Sequence, residues 1–295
     1  MFDSTYISDY KTYLSDVRGA SANTVTSYVR DVQKFTEFVY AGGNNDLSHV
    51  TPEDVRSYLI NLERSGKSPA TISRYIASIK AFYNRLVELN HIHINPVSDI
   101  TVSTVEKKPP RILSDEEINL LLKQPNIKDN KGARDSAMFE ILYATGIRVS
   151  ELINLDVSDV NLDTGLVSCR NGKVRIVPIH DAAIKAVERY LSFARPEMAD
   201  NGEDALFVNT NGERMTRQGF WKILKSYSEQ AKISSDITPQ MLRNSFAAHL
   251  LENGANIHAL QKMLGHAGIS STQTYARIVK HQLKDMYAKA HPMAK

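Results

Sequence analysis

Four residues of this 295-residue chain are of types that phosphodiester chemistry without a metal would need, and each lies in a short local pattern. Arg148 falls in Ala144-Thr145-Gly146-Ile147-Arg148-Val149-Ser150-Glu151-Leu152, and Arg243 in Leu242-Arg243-Asn244-Ser245-Phe246-Ala247-Ala248-His249-Leu250-Leu251. His266 closes Leu264-Gly265-His266, and Tyr275 follows Thr274. Taken singly these say little: a lone Arg in a helix is ordinarily solvated or ion-paired, and one Tyr among 13 is ordinarily half-buried core. Their order and spacing say more, with 23 residues from Arg243 to His266 and nine from His266 to Tyr275.

Together the four patterns resemble the active site of a tyrosine recombinase of the Xer and phage-integrase type, and the resemblance extends over nearly the whole chain. It implies a mainly α fold. An N-terminal four-helix core-binding (SAM-like) domain would form half of a DNA clamp, followed by an α-rich catalytic domain with a small β-hairpin or sheet. It implies that Tyr275 attacks the scissile phosphodiester to give a 3′-phosphotyrosyl link and a free 5′ hydroxyl, conserving the ester energy so that neither ATP nor another cofactor is needed. Arg148 and Arg243 would hold the non-bridging oxygens through directed, permanently charged hydrogen bonds, in place of a metal. His266 would donate a further hydrogen bond to the phosphate or assist proton movement at Tyr275, and a hairpin lysine, here Lys173, would protonate the leaving 5′ oxygen. The implied partner is a double-stranded DNA target site. The implied assembly is a homotetramer on two such sites, joined by exchange of a C-terminal segment at about residues 279–295. Participation of a second recombinase or an accessory protein is left open.

Two positions depart from the family pattern. The place three residues before Arg243, where the family usually has His, is Gln240, and Asn244 stands where the family often has His. An amide donates hydrogen bonds but does not titrate near neutral pH. Acid–base help is typically worth about 10²–10⁴-fold, so a DNA-binding member with weak or no cleavage is the alternative to an active recombinase. A relaxing type IB topoisomerase shares the nucleophilic chemistry but not the full-length pattern. Dimer resolution, integration or excision of a mobile element, and DNA inversion all use the same chemistry, and the motifs do not separate them.

The elements that must carry these residues are legible from capping and periodicity. Thr238-Pro239 opens a helix bearing Arg243 with Leu242, Phe246, Leu250 and Leu251 toward the core, and Asn253-Gly254 ends it. A second helix from about Asn256 to Leu264 is stopped by Gly265, which puts His266 just past a helix end. Leu166 to Arg170, Asn171-Gly172, and Lys173 to Pro178 read as a hairpin with a two-residue turn and Lys173 at its mouth. An ungapped alignment with the family's longer turn would instead put Arg170 at the lysine's place, and a guanidinium is a poor proton donor.

Upstream, Tyr6, Tyr10, Tyr13, Leu14 and Val17 recur at helical spacing, as do Val25, Tyr28, Val29, Val32, Phe35 and Val39. Thr51-Pro52 and Ser68-Pro69 start two further helices, the latter carrying Ile72, Ile76, Ile79, Tyr83 and Leu86. Residues 1–95 therefore read as a helical bundle. Arg18, Arg30, Lys34, Lys67, Arg74 and Lys80 are its candidate phosphate contacts. Residues 96–110, with Pro at both ends, read as an extended linker, and Ser114-Asp115-Glu116-Glu117 opens a second domain of 111–295 with a capping box.

Composition is compatible with this organisation. The length suggests two domains, and 42% hydrophobic residues suffice for two cores. The net charge of +3 is unevenly split: residues 1–106 carry 10 Lys and Arg against 12 Asp and Glu, and residues 107–295 carry 26 against 21. A lone cysteine, Cys169, excludes an intramolecular disulfide and a multi-cysteine metal cluster. His249 and His258 lack the spacing of metal ligands and read as structural. With no membrane-length apolar run and no charged-then-apolar start, the expected location is the cytoplasm, away from any membrane.

Overall fold

The computed structural model describes residues 2–44, 46–101, 111–170, 174–233, 237–266, 268–269 and 271–276. The chain divides into two compact units, Met1–Lys107 and Lys108–Lys295.

The first unit contains helices α1 (Phe2–Thr12), α2 (Ala22–Ala41), α3 (Pro52–Arg64) and α4 (Pro69–Glu88). Side chains set three of the starts: Ser21 accepts from the N–H of Thr24, Thr51 forms a capping box with Asp54, and Ser68 accepts from the N–H of Thr71. The expected apolar faces meet in one core that includes Tyr10, Leu14, Val32, Phe35, Ile79 and Leu86. Val17 is an exception at 72% exposure. After Thr12 the helix widens into π turns over Tyr13–Val17, and the extra residue per turn rotates Val17 off the buried stripe.

Among the candidate DNA-contacting cations, Arg18, Arg30, Lys34 and Lys67 are exposed. Arg74 and Lys80 are committed internally: Arg74 pairs with the fully buried Asp31, and Lys80 Nζ donates to the Ser98 carbonyl at 3.0 Å. Only part of the segment read as an extended linker is described. Its start instead turns back on the first unit: Val97 is fully buried in that core, and the Asn95 side chain accepts from the Val97 N–H. Residues 102–110 lie outside the described ones.

The second unit begins with α5 (Asp115–Leu122), capped by Ser114 and Glu117, and α6 (Asn130–Thr145). Helix α6 is buried on most sides, as its near-continuous run of apolar and small residues requires. Its charged pair, Arg134 and Asp135, is tolerated there because the two groups meet at 2.7 Å and Arg134 also donates to the Val208 carbonyl. The short α7 (Val149–Ile153) leads to an antiparallel sheet of β1 (Val160–Asn161), β2 (Leu166–Cys169) and β3 (Arg175–Pro178) in that order. Helices α8 (Asp181–Arg189), α9 (Arg195–Met198), α10 (Arg217–Gln230), α11 (Pro239–Glu252) and α12 (Ile257–Leu264) follow, and residues 271–276 are helical.

The hairpin corrects the sequence reading. A two-residue Asn171-Gly172 turn would pair Cys169 with Val174, but the observed partner of Cys169 is Arg175, and Val167 pairs with Val177. A slip of one residue exchanges the faces of a strand. Here it buries Val167, Cys169 and Val177 together, leaves Val174 and Ile176 exposed, and turns Arg175 to the inner face, where a carboxylate awaits it.

Candidate active site

Arg243 is the centre of the site. It projects from α11, whose start is fixed by Thr238 accepting from the N–H of Met241, and it is 3% exposed. Its Nη1 donates to the Gly146 carbonyl at 2.6 Å and its Nη2 to the Leu264 carbonyl at 2.7 Å. Those carbonyls end α6 and α12. Terminal helix carbonyls have no intrahelical partner and carry the negative end of the dipole, so a buried guanidinium there satisfies both acceptors and is itself stabilised. Burial, and then the neighbouring Arg148 charge, lower the Arg243 pKa to about 10, which leaves it charged at neutral pH.

Two glycines let the helix ends converge. Gly146 closes α6 at φ 59°, and a Cβ there would lie 2.2 Å from the Phe246 ring; Gly265 closes α12 at φ 64° directly before His266. Arg148 then caps α7, with its N–H donating to Glu151 Oε2 at 2.7 Å and its side chain 46% exposed.

Glu151 and Arg175 form the supporting pair. Nη1 and Nη2 of Arg175 donate to the two Glu151 oxygens at 2.6 and 3.0 Å, and its Nε donates to the Met263 carbonyl at 2.7 Å. Burial acts to raise the Glu151 pKa, but the hydrogen bonds from Arg175 and from the Arg148 N–H outweigh it, and the net shift is downward. The pair thus ties α7, β3 and the end of α12 together beneath Arg148 and Arg243. Glu151→Ala leaves the Arg175 guanidinium, 11% exposed, without its counter-charge. The expected cost is about 3–5 kcal/mol in denaturant unfolding, and an unchanged midpoint would contradict this account of the pair.

His266 Nε2 lies 3.0 Å from Arg243 Nη2, and Nδ1 lies 2.9 Å from Thr272 Oγ1. A guanidinium only donates, so Nε2 accepts, and the neutral ring carries its proton on Nδ1 toward Thr272. Burial and then the charges of Arg243, Arg148 and Arg175 lower the His266 pKa to about 4. In the DNA-free protein, NMR titration of the ring should therefore show a midpoint near 4; one near the usual imidazole value would contradict it. The unfolded chain takes this proton near pH 6.5 while the folded one resists until about 4, so the contribution to stability is lost as pH falls through that window.

Tyr275 is 5% exposed and packs with Phe246, Ala247, Leu260 and Leu264. Its ring lies nearly parallel to that of His266, at 19° with centroids 6.3 Å apart. Its Oη donates to Asn244 Oδ1 at 3.2 Å, and the same oxygen accepts from Gln240 Nε2 at 2.9 Å. Arg148, Arg243 and Gln240 line an open cleft of about 870 Å³, together with Arg217, Trp221 and Lys222 of α10.

The fold thus brings Arg148, Arg243, His266 and Tyr275 into one neighbourhood. Lys173 lies outside the described residues, as does the proposed exchange segment, 279–295. Arg170, the other reading of the lysine position, has its Nε 2.5 Å from Asp159 Oδ1 and lines a separate cleft with Ser158 and Arg195. His249 is structural, bridging the Tyr143 hydroxyl at 2.8 Å and the Leu113 carbonyl at 3.0 Å. His258 is exposed on the first turn of α12.

Sequence reasoning missed Glu151, Arg175 and Thr272. The Arg148-to-Glu151 spacing did carry a signal, that of an N-cap with an acidic group at the third helical position. Nothing local marks Arg175 or Thr272, because their partners are distant in sequence or depend on how His266 is turned.

With this geometry, residues 111–282 match the phage integrase family and residues 7–89 the phage integrase N-terminal SAM-like domain. The chain belongs to the phage integrase family, the tyrosine recombinases. It is 45% identical over 293 residues to tyrosine recombinase XerD of Oceanobacillus iheyensis, covering 98% of each chain. It is 39% identical over 296 residues to tyrosine recombinase XerD of Staphylococcus epidermidis, covering 98% of this chain and 99% of that one. Among solved structures, XerA recombinase is similar at 28% identity and TM-score 0.56, covering 98% of this chain and 99% of that one. The fold also matches XerH site-specific recombinase bound to a palindromic difH substrate in a post-cleavage complex, with TM-score 0.75 and 22% identity over 96% of this chain and 84% of that one. Among the described residues no helix is long and apolar enough to cross a membrane, and no group of His, Cys, Asp and Glu is arranged to hold a metal ion.

Proposed function

We propose that this protein breaks and rejoins double-stranded DNA at a specific site through a covalent intermediate on Tyr275. The Tyr275 oxygen attacks the scissile phosphorus and loses its proton to solvent with the neutral His266 assisting, a P–O bond to the phenol forms, and the bond to the 5′ oxygen breaks. Arg148 and Arg243 hold the non-bridging oxygens as charge builds on them. Lys173 delivers the proton that the leaving 5′ oxygen requires. Attack by a different 5′ hydroxyl reverses the chemistry and completes strand exchange.

The observation that carries this reading is the setting of Arg243. It is held rigidly by two helix-end carbonyls, with His266 bonded to it and Tyr275 stacked on His266. Three of its five N–H groups are occupied in this way, which leaves two for a phosphate. His266 is a neutral acceptor toward Arg243 here, so donation to the phosphate requires the incoming negative charge to raise its proton affinity. The alternative of binding without cleavage, suggested by Gln240, is not favoured, since the relatives matched along the whole chain are named as recombinases.

The partner is duplex DNA, and the working assembly is a tetramer on two sites, formed in the cytoplasm by this chain alone or with a second recombinase. Covalent protein–DNA adducts captured from cells expressing the chain, digested with protease and sequenced at both peptide and DNA ends, test this. The DNA-linked peptide should contain Tyr275 and the DNA should map to discrete sites. Linkage at another residue, or binding without any adduct, overturns the proposal.

A further inference from the structure

Asn244 follows Arg243 on α11 and is 4% exposed, so its amide is held by the protein. Its Oδ1 accepts from Gln240 Nε2, one turn earlier on the same helix, at 2.9 Å, and from Tyr275 Oη at 3.2 Å. A carbonyl oxygen offers two lone pairs, and both are taken. The consequence is directional. An amide oxygen cannot donate, so the phenol proton lies on the line from Oη to Oδ1, and the phenol lone pairs point elsewhere. An unrestrained phenol hydroxyl would exchange its proton between the two orientations in the ring plane, so that either could block a lone pair from an incoming phosphorus. The Tyr275 ring is fixed as well, by Phe246, Leu260 and Leu264 around it and by His266 alongside.

We propose that Asn244 is a positioning residue for Tyr275, its Oδ1 fixing the direction of the phenol proton while Gln240 fixes Oδ1. The inference rests on Tyr275 being the nucleophile. Neither amide titrates near neutral pH, so the pair orients the phenol without taking its proton. A correctly aimed nucleophile can matter greatly, since a misplacement of about 1 Å can cost about 10²-fold in rate.

The test uses the full chain and a duplex carrying a site mapped from wild-type adducts. Single-turnover cleavage is measured at saturating protein, with DNA affinity measured separately. Asn244→Leu, close in size but without an acceptor, should lower the cleavage rate constant by about 10²-fold with affinity nearly unchanged. Gln240→Leu, at an exposed position, should lower it less. Raman difference spectra against Tyr275→Phe supply a readout that loss of packing alone would not move. The Tyr275 doublet should report a donating phenol in the wild type, lose that character in Asn244→Leu, and regain it in Asn244→Asp, which keeps the acceptor. If Asn244→Leu and Gln240→Leu both cleave at the wild-type rate, or the doublet is the same in all variants, the positioning role is overturned. Wild-type protein that forms no adduct overturns the recombinase reading itself, a distinct result.

Discussion

If Tyr275 is the nucleophile, as proposed, Tyr275→Phe should leave the protein folded and remove strand cleavage altogether. The phenyl ring keeps its place among Phe246, Ala247, Leu260 and Leu264, so the buried apolar area is nearly unchanged. The folded state loses only the hydrogen bond to Asn244, which is worth about 1 kcal/mol net. In the proposed mechanism the chemical loss is complete, because a phenyl ring beside His266 has no oxygen with which to attack phosphorus. Denaturant unfolding should therefore show a small shift, DNA affinity should be close to wild type, and covalent adducts should vanish. A variant that still forms adducts would mean that a different group attacks, and the assignment of the site would have to be rebuilt.

Arg243 should show the opposite combination, with fold and chemistry failing together. Arg243→Ala should leave the Gly146 and Leu264 carbonyls buried without partners, at about 1–3 kcal/mol each, and remove the donor that the proposed mechanism places on the reacting phosphate. Arg243→Lys separates the two roles. An ammonium retains the charge but cannot reproduce a planar fork that reaches two helix ends and the His266 ring at once. Cleavage by the lysine variant should fall by about 10²–10³-fold, the scale of removing one preorganised transition-state donor, and its stability should lie between alanine and wild type. Single-turnover rates set beside unfolding midpoints decide this. A lysine variant as fast as wild type would show that charge alone suffices and that the bonds to α6 and α12 are incidental to catalysis.

Much of this protein is written in its sequence. The caps at Ser21, Thr51, Ser68, Ser114 and Thr238 stand where short polar side chains precede apolar periodicity, because capping is settled within one helical turn. The types and spacing of Arg148, Arg243, His266 and Tyr275 are local in the same sense, and Gly146 and Gly265 mark the helix ends beside them. Where the reading failed, the deciding forces came from elsewhere in the chain. Val17 is exposed because the helix widens at its end, which no apolar pattern announces. The hairpin register is set by the burial of Val167 and Val177 together and by the reach of Arg175 to Glu151, 24 residues away, rather than by the Asn171-Gly172 dipeptide.

The side chains available, and the helices that carry them, are thus legible in the amino-acid order. Their states come from packing between distant segments. It set Arg243 against two helix ends, made His266 a neutral acceptor, turned Arg170 to Asp159, and joined Gln240 and Asn244 to the phenol of Tyr275. A side chain's identity fixes what it can donate, accept or carry. The partner it finds, and hence its charge and direction, depends on packing between segments that lie far apart along the chain.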